Sequence, residues 1–143
     1  MKYAQYTFAF LMGYFIYSLI EIINRGYTHW TMSLTGGLVL ALLYAVNSRR
    51  AMTLIKSCFA GAVIITVLEF AVGVFDNIIM RWNVWDYSDM PMNLLGQICL
   101  PFSMIWFILC IPAYFLCGFI RQRFSVKPED QKPSRRSSLT RST

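Results

Sequence analysis

Four stretches of this chain are predominantly apolar on every face, where a water-soluble helix would show an apolar stripe at intervals of three and four. They run from about Tyr3 to Ile23, Thr31 to Asn47, Ala51 to Ile79, and Ile98 to Ile120. Gly26 to Ser48 contains no Lys, Arg, Asp or Glu, and neither does Met90 to Ile120. About 20 such residues in a helix cross the roughly 30 Å of a bilayer's hydrocarbon core. The pattern therefore predicts an all-α, polytopic membrane protein with four transmembrane helices. The second and third helices are joined by the short Asn47–Met52 turn. Between the third and fourth lies a polar segment rich in Asp, Asn, Trp and Tyr. Within it Ser88-Asp89-Met90-Pro91 predicts a turn, and the apolar Met92, Leu94 and Leu95 predict partial re-entry toward the bilayer. Lys2 ahead of the first run resembles the start of a signal peptide. The run is too long for a signal core and no small-x-small cleavage site follows, so a retained anchor helix is expected.

Charge supplies the orientation. With only 14% charged residues against about a quarter in a soluble domain, each charge's position carries weight. Lys2, Arg49, Arg50, Lys56 and the seven Lys and Arg from Arg121 onward fall on one side of the four spans. That is eleven of the 13 cations, leaving Arg25 and Arg81 opposite. The positive-inside rule then puts both termini in the cytoplasm and the protein in the plasma membrane. Residues 1–122 form the expected transmembrane domain and residues 123–143 a disordered basic cytoplasmic tail, too poor in apolar surface to offset its ordering entropy. A tail of this kind suits anionic headgroups, which accounts for the net charge of +6 without nucleic acid. Acids behave oppositely: Glu21, Glu69, Asp76, Asp86 and Asp89 lie in the outer half, and the topology rule does not require it.

Candidate chemistry gathers at that outer end. Glu21 and Glu69 sit within apolar spans, where an ionised carboxylate is costly and marks a functional hypothesis. Thr66, Glu69, Gly73 and Asp76 or Asn77 share one helix face. Gly13, Tyr17, Glu21 and Asn24 or Arg25 share another, and Cys99, Ser103, Trp106 and Cys110 a third. Small and polar residues at such spacing also serve as contacts between membrane helices. Glu21 with Arg25, or Glu69 with Arg81, would satisfy each acid by an ion pair. Trp82, Trp85 and Tyr87 fit an aromatic belt at headgroup depth, which leaves Asp86, Asp89 and Asn93 between them to be explained. The four cysteines, Cys58, Cys99, Cys110 and Cys117, form no C-x-x-C pair and are expected to pack as small hydrophobes. His29 is the only histidine, which excludes a multi-histidine metal site, and neither metal nor cofactor is expected. No phosphate loop, nucleophile elbow or H-E-x-x-H string occurs.

A family resemblance rests on particular strings. Glu21 with Asn24-Arg25-Gly26, then Leu68-Glu69-Phe70, then Trp85-Asp86-Tyr87-Ser88-Asp89 are its first three parts. Asn93 and Gly96, followed by Ile98-Cys99-Leu100-Pro101-Phe102-Ser103 and Trp106, complete it. Together they resemble the bacterial family called putative ABC-transporter type IV over about residues 8 to 118. Two positions differ: Leu95, where that family often has Asn, and Gln97, where it often has Arg. The resemblance implies a transporter or permease component. An ABC permease grips its ATPase through substantial cytoplasmic loops, and the Asn47–Met52 turn is short, so an ATPase partner is not expected from the residues themselves. A homo-oligomer or another membrane subunit is.

The reading that follows is a transport-related protein, not an enzyme, with an outward-facing pocket of Glu21, Asn24, Arg25, Glu69, Asp86 and Asn93, and with Trp85 and Tyr87 anchoring the loop. Glu21 and Glu69 would bind a cation or exchange a proton. Two alternatives remain open at this point: a membrane-embedded enzyme acting on lipid or envelope precursors, and a non-catalytic assembly or regulatory subunit.

Overall fold

The computed structural model describes residues 2–125. It contains four long helices, each apolar and long enough to cross a membrane. Helix α1 spans Lys2–Arg25, α2 Trp30–Asn47, α3 Leu54–Gly73 and α4 Leu100–Ser125. At 1.5 Å per residue, α1 is about 36 Å long and α2 about 27 Å. Helix α4 continues three residues past the expected boundary at 122, and the rest of the expected disordered tail lies outside the described residues.

Helix α2 is the most buried of the four. Its Gly36 and Gly37 let α1 approach closely: the Gly36 carbonyl lies directly against Gly13, and Tyr17 and Phe10 of α1 cover the two glycines. Small residues at such a seam replace the hydrophobic drive that lipid does not supply. The Ser18 and Ser33 hydroxyls, 2.7 Å apart, add a hydrogen bond to the same interface. Helices α3 and α4 pair through Gly61, which receives Cys110, and through Thr66 and Ser103, whose hydroxyls are 3.1 Å apart. All four cysteines are buried and free, as expected of packing residues.

The bundle has two chemically distinct ends. At one, the Tyr44 hydroxyl donates to Gln5, the Arg121 guanidinium donates to the Asn47 carbonyl at 2.7 Å, and Phe8 meets Phe124. The start of α1, the α2–α3 turn and the end of α4 are therefore neighbours, as an even number of spans requires. At the other end α3 does not stop as an α-helix. Val74–Ile79 forms a π-helical turn, with Met80 N–H donating to the Phe75 carbonyl five residues back. A π-turn widens the helix locally and often marks a functional site.

Residues 80–99 complete that end. The segment contains a two-residue antiparallel ladder, β1 Asn93–Leu94 with β2 Ile98–Cys99, pairing Asn93 with Cys99 and Leu94 with Ile98. This ladder corrects the all-α expectation in one small place. It forms because the chain must reverse between the π-turn and α4, and a hairpin satisfies its backbone groups as it does so. Pro101 then sits in the first turn of α4, where its missing N–H costs nothing.

Candidate functional site

Residues 80–99 are tied to the bundle by a connected set of polar side chains. Asn77, on the π-turn, accepts from Val84 N–H at 2.7 Å and donates to the Gln97 side-chain oxygen at 2.8 Å. Gln97 in turn donates to the Leu95 carbonyl at 2.9 Å, and its own carbonyl accepts from the Trp85 indole at 2.9 Å. Gly73 lies beneath, where a Cβ would come within 2.6 Å of the Gln97 oxygen and 2.9 Å of the Trp85 ring. Arg25 ties α1 to the same segment by donating to the Val84 carbonyl. Tyr87 stacks on Phe102 of α4 with ring centroids 4.7 Å apart. Burial, reinforced by the Glu69 carboxylate, holds the Tyr87 hydroxyl well above the ordinary tyrosine range.

The two polar motifs of this segment serve its own geometry. Asp86 accepts from both the backbone and the hydroxyl of Ser88, and these bonds hold its carboxyl below the usual carboxylate range. Asn93 donates to the carbonyls of Ser88 and Met90 at 3.1 and 2.9 Å and accepts from Gly96 N–H. Arg81, Asn83, Met92 and Leu95 all have φ between +50° and +56°, a left-handed conformation that side chains with a Cβ adopt at a cost.

A cleft opens between α1 and α4 under this segment. Its polar limb has a volume of about 670 Å³ and is lined by Glu21, Asn24, Arg25, Trp85, Asp86 and Tyr87 together with Tyr17, Tyr27 and Trp106. Glu21 is 8% exposed and pairs with Arg25 at 3.3 Å, with Thr28 donating to its second oxygen. The Arg25 guanidinium also lies over the Tyr27 ring, 4.8 Å from its centroid. Glu69 is 3% exposed and stands behind the cleft wall, accepting from the Trp106 indole at 2.8 Å. Glu21 and Glu69 thus have separate partners. The alternative pairing of Glu69 with Arg81 is absent: Glu21–Arg25 is the sole ion pair among the described residues.

Of the expected site residues, the structure gathers Glu21, Asn24, Arg25, Trp85, Asp86 and Tyr87 on one cleft and sets Glu69 one side chain behind it. Asn93 is exposed and sits in the turn of its own loop, away from the cleft. Sequence reasoning missed Asn77 and Gln97 as the clamp. It also missed a buried chain in which His29 Nδ1 lies 2.6 Å from the Thr31 hydroxyl, which donates to Asp76 at 2.5 Å. Asp76 is fully buried, and its other oxygen has no partner among the described residues. An Asp-Asn pair at the end of an apolar run was the available signal.

Four helices long and apolar enough to cross a bilayer define a multi-pass membrane protein. The match to the family described as putative ABC-transporter type IV covers residues 6–132, and the chain belongs to that family. No curated protein and no solved structure is significantly similar to it.

Proposed function

We propose that this protein sits in the plasma membrane with both termini in the cytoplasm and acts in transport through the cleft at its outer end. The orientation follows from eleven of 13 cations belonging to the end that joins the α1 start, the α2–α3 turn and the α4 end. The segment 80–99 caps the opposite end, and its exposed Met92, Leu94 and Leu95 dip toward the lipid as a partly re-entrant loop.

One observation carries the reading. Glu69 is buried inside a membrane span with, among the described residues, a single neutral hydrogen-bond donor and no cation, immediately behind a cleft that holds a second carboxylate, Glu21. A purely structural acid in lipid is expected to be paired outright. Glu69 instead occupies the position of a group that takes up and releases a proton or cation as the cleft fills. Trp106 stands between Glu69 and the cleft and sets the carboxylate's orientation. Glu21, Asn24, Arg25 and Asp86 meet the ligand, Trp85 and Tyr87 anchor the loop above it, and Asn93 shapes that loop. Four helices are few for a permease, so a second copy or another membrane subunit completes the pathway.

The test uses the full chain in vesicles carrying an internal pH indicator, with a membrane potential imposed to drive protons inward. The wild-type protein acidifies the lumen, and Glu69→Gln, inserted to the same level, does not. A Glu69→Gln protein that acidifies at the wild-type rate overturns the reading, as does a wild-type protein that carries no proton.

A further inference from the structure

The outer polar limb of the cleft is only half of it. A second, apolar limb of about 350 Å³ continues from it toward the middle of the bundle, sharing Tyr17, Ile20, Trp106 and Leu109 as common walls. Its far end is closed by Leu43, Ala113 and Leu116. Both volumes lie in the range of ligand cavities, roughly 300–1,000 Å³. The limb exists because α1 packs on α2 and α4 on α3, whereas α1 and α4 scarcely meet. Pro112, which removes one backbone hydrogen bond from α4, lies on this open seam.

We infer that the cleft binds one zwitterionic phospholipid of the outer leaflet, with an acyl chain in the apolar limb and the headgroup between Arg25 and the carboxylates Glu21 and Asp86. The order of the two limbs matches the order of such a molecule along the membrane normal. A small hydrophilic solute would leave the apolar limb unused, and a free hydrocarbon would leave the charged limb unmatched. Charge decides the headgroup. The limb offers one cation and two carboxylates, which complements a phosphate joined to an ammonium and opposes a purely anionic head. Arg25 can meet the phosphate without giving up its present partners. Its Nη1 donates once to Glu21 and its Nη2 twice, to Tyr27 and Val84, so Nε and one Nη1 hydrogen remain free of partners among the described residues. Asp86 uses one oxygen for Ser88, which leaves the other for the ammonium, and the Tyr27 and Tyr87 rings on the same limb suit a cation.

This inference rests on the reading of the outer cleft as a ligand site and does not depend on proton movement, so its test measures binding alone. The full chain is reconstituted in vesicles of equal parts phosphatidylethanolamine and phosphatidylglycerol. It is then extracted in mild detergent, and retained lipid is counted by native mass spectrometry. One lipid per chain is expected, with phosphatidylethanolamine enriched about tenfold. Ala113→Phe, which puts a ring into the apolar limb, and Arg25→Gln, which removes the phosphate contact, are each expected to lower retention by about tenfold. Equal retention of the two headgroups by the wild-type protein overturns the assignment and needs no variant. Retention unchanged in both variants, or several lipids per chain lost together on washing, shows annular lipid only and overturns it as well. Proton uptake abolished by Glu69→Gln in a chain that retains no lipid would remove this inference and leave the transport reading standing.

Discussion

Replacing Asn77 by Ala tests whether residues 80–99 are held by their clamp or merely rest on the bundle. Asn77 makes two bonds of ordinary length, to Val84 N–H at 2.7 Å and to the Gln97 oxygen at 2.8 Å. A buried group left without its partner costs about 1–3 kcal/mol. Val84 and Gln97 are both buried, at 6% and 5% exposure, so neither recovers its bond from water. With both groups orphaned, the loss is about 2–6 kcal/mol, concentrated in opening of residues 80–99 and not in unfolding of the four helices. Cys99 reports that opening, because it is 3% exposed and lies on the ladder opposite Asn93. Its alkylation by a maleimide, followed by peptide mass spectrometry in detergent, is expected to accelerate at least about 30-fold, while Cys58, Cys110 and Cys117 inside the bundle keep their rates. Asn77→Asp separates the two bonds. It keeps the acceptor for Val84 but turns a carboxylate toward the Gln97 oxygen. Rotating the Gln97 amide would then set oxygen against the Leu95 carbonyl. Asp is therefore expected to behave like Ala. An unchanged Cys99 rate in Asn77→Ala would refute the clamp.

Three further outcomes follow from the same geometry. Gly13→Ala sets a methyl group against the Gly36 carbonyl and within 2.7 Å of Leu40 Cβ, so α1 must move off α2. A loss of about 1–3 kcal/mol is expected by thermal unfolding in detergent. Leu95→Asn relieves a left-handed residue at φ 51° and is expected to stabilise the loop by about 1 kcal/mol, read as slower Cys99 alkylation. It would also install the residue often found there in the family that the chain resembles. Asp86 has its carboxyl lowered by the two Ser88 bonds, so its contribution to loop order is present above the unfolded carboxylate range, near pH 4, and is lost as pH falls through the lowered folded value. Protease cleavage within residues 80–99 should rise as pH falls below the ordinary carboxylate range in the wild-type protein and show no such step in Asp86→Asn.

Much of this protein is dictated by the sequence alone, because a bilayer leaves the backbone few choices. An uninterrupted apolar run must become a helix to satisfy its own N–H and C=O groups in lipid. The four spans and their approximate limits therefore follow from local composition. The concentration of acids at one end is equally legible, since Glu21 and Asp86 need only be counted to be noticed. What composition could not decide is which polar residue meets which. Asp86 and Asn93 read alike on the page, yet one lines the cleft and the other closes its own turn, because a reversal of the chain pairs Asn93 with Cys99. Asn77 and Gln97 are 20 residues apart, and only the π-turn, which adds a residue to the last turn of α3, aims Asn77 at the loop and Asp76 at Thr31. The cleft itself belongs to no segment. It is the space left where α1 and α4 each pack more closely on another helix, and such a space is a property of four helices together.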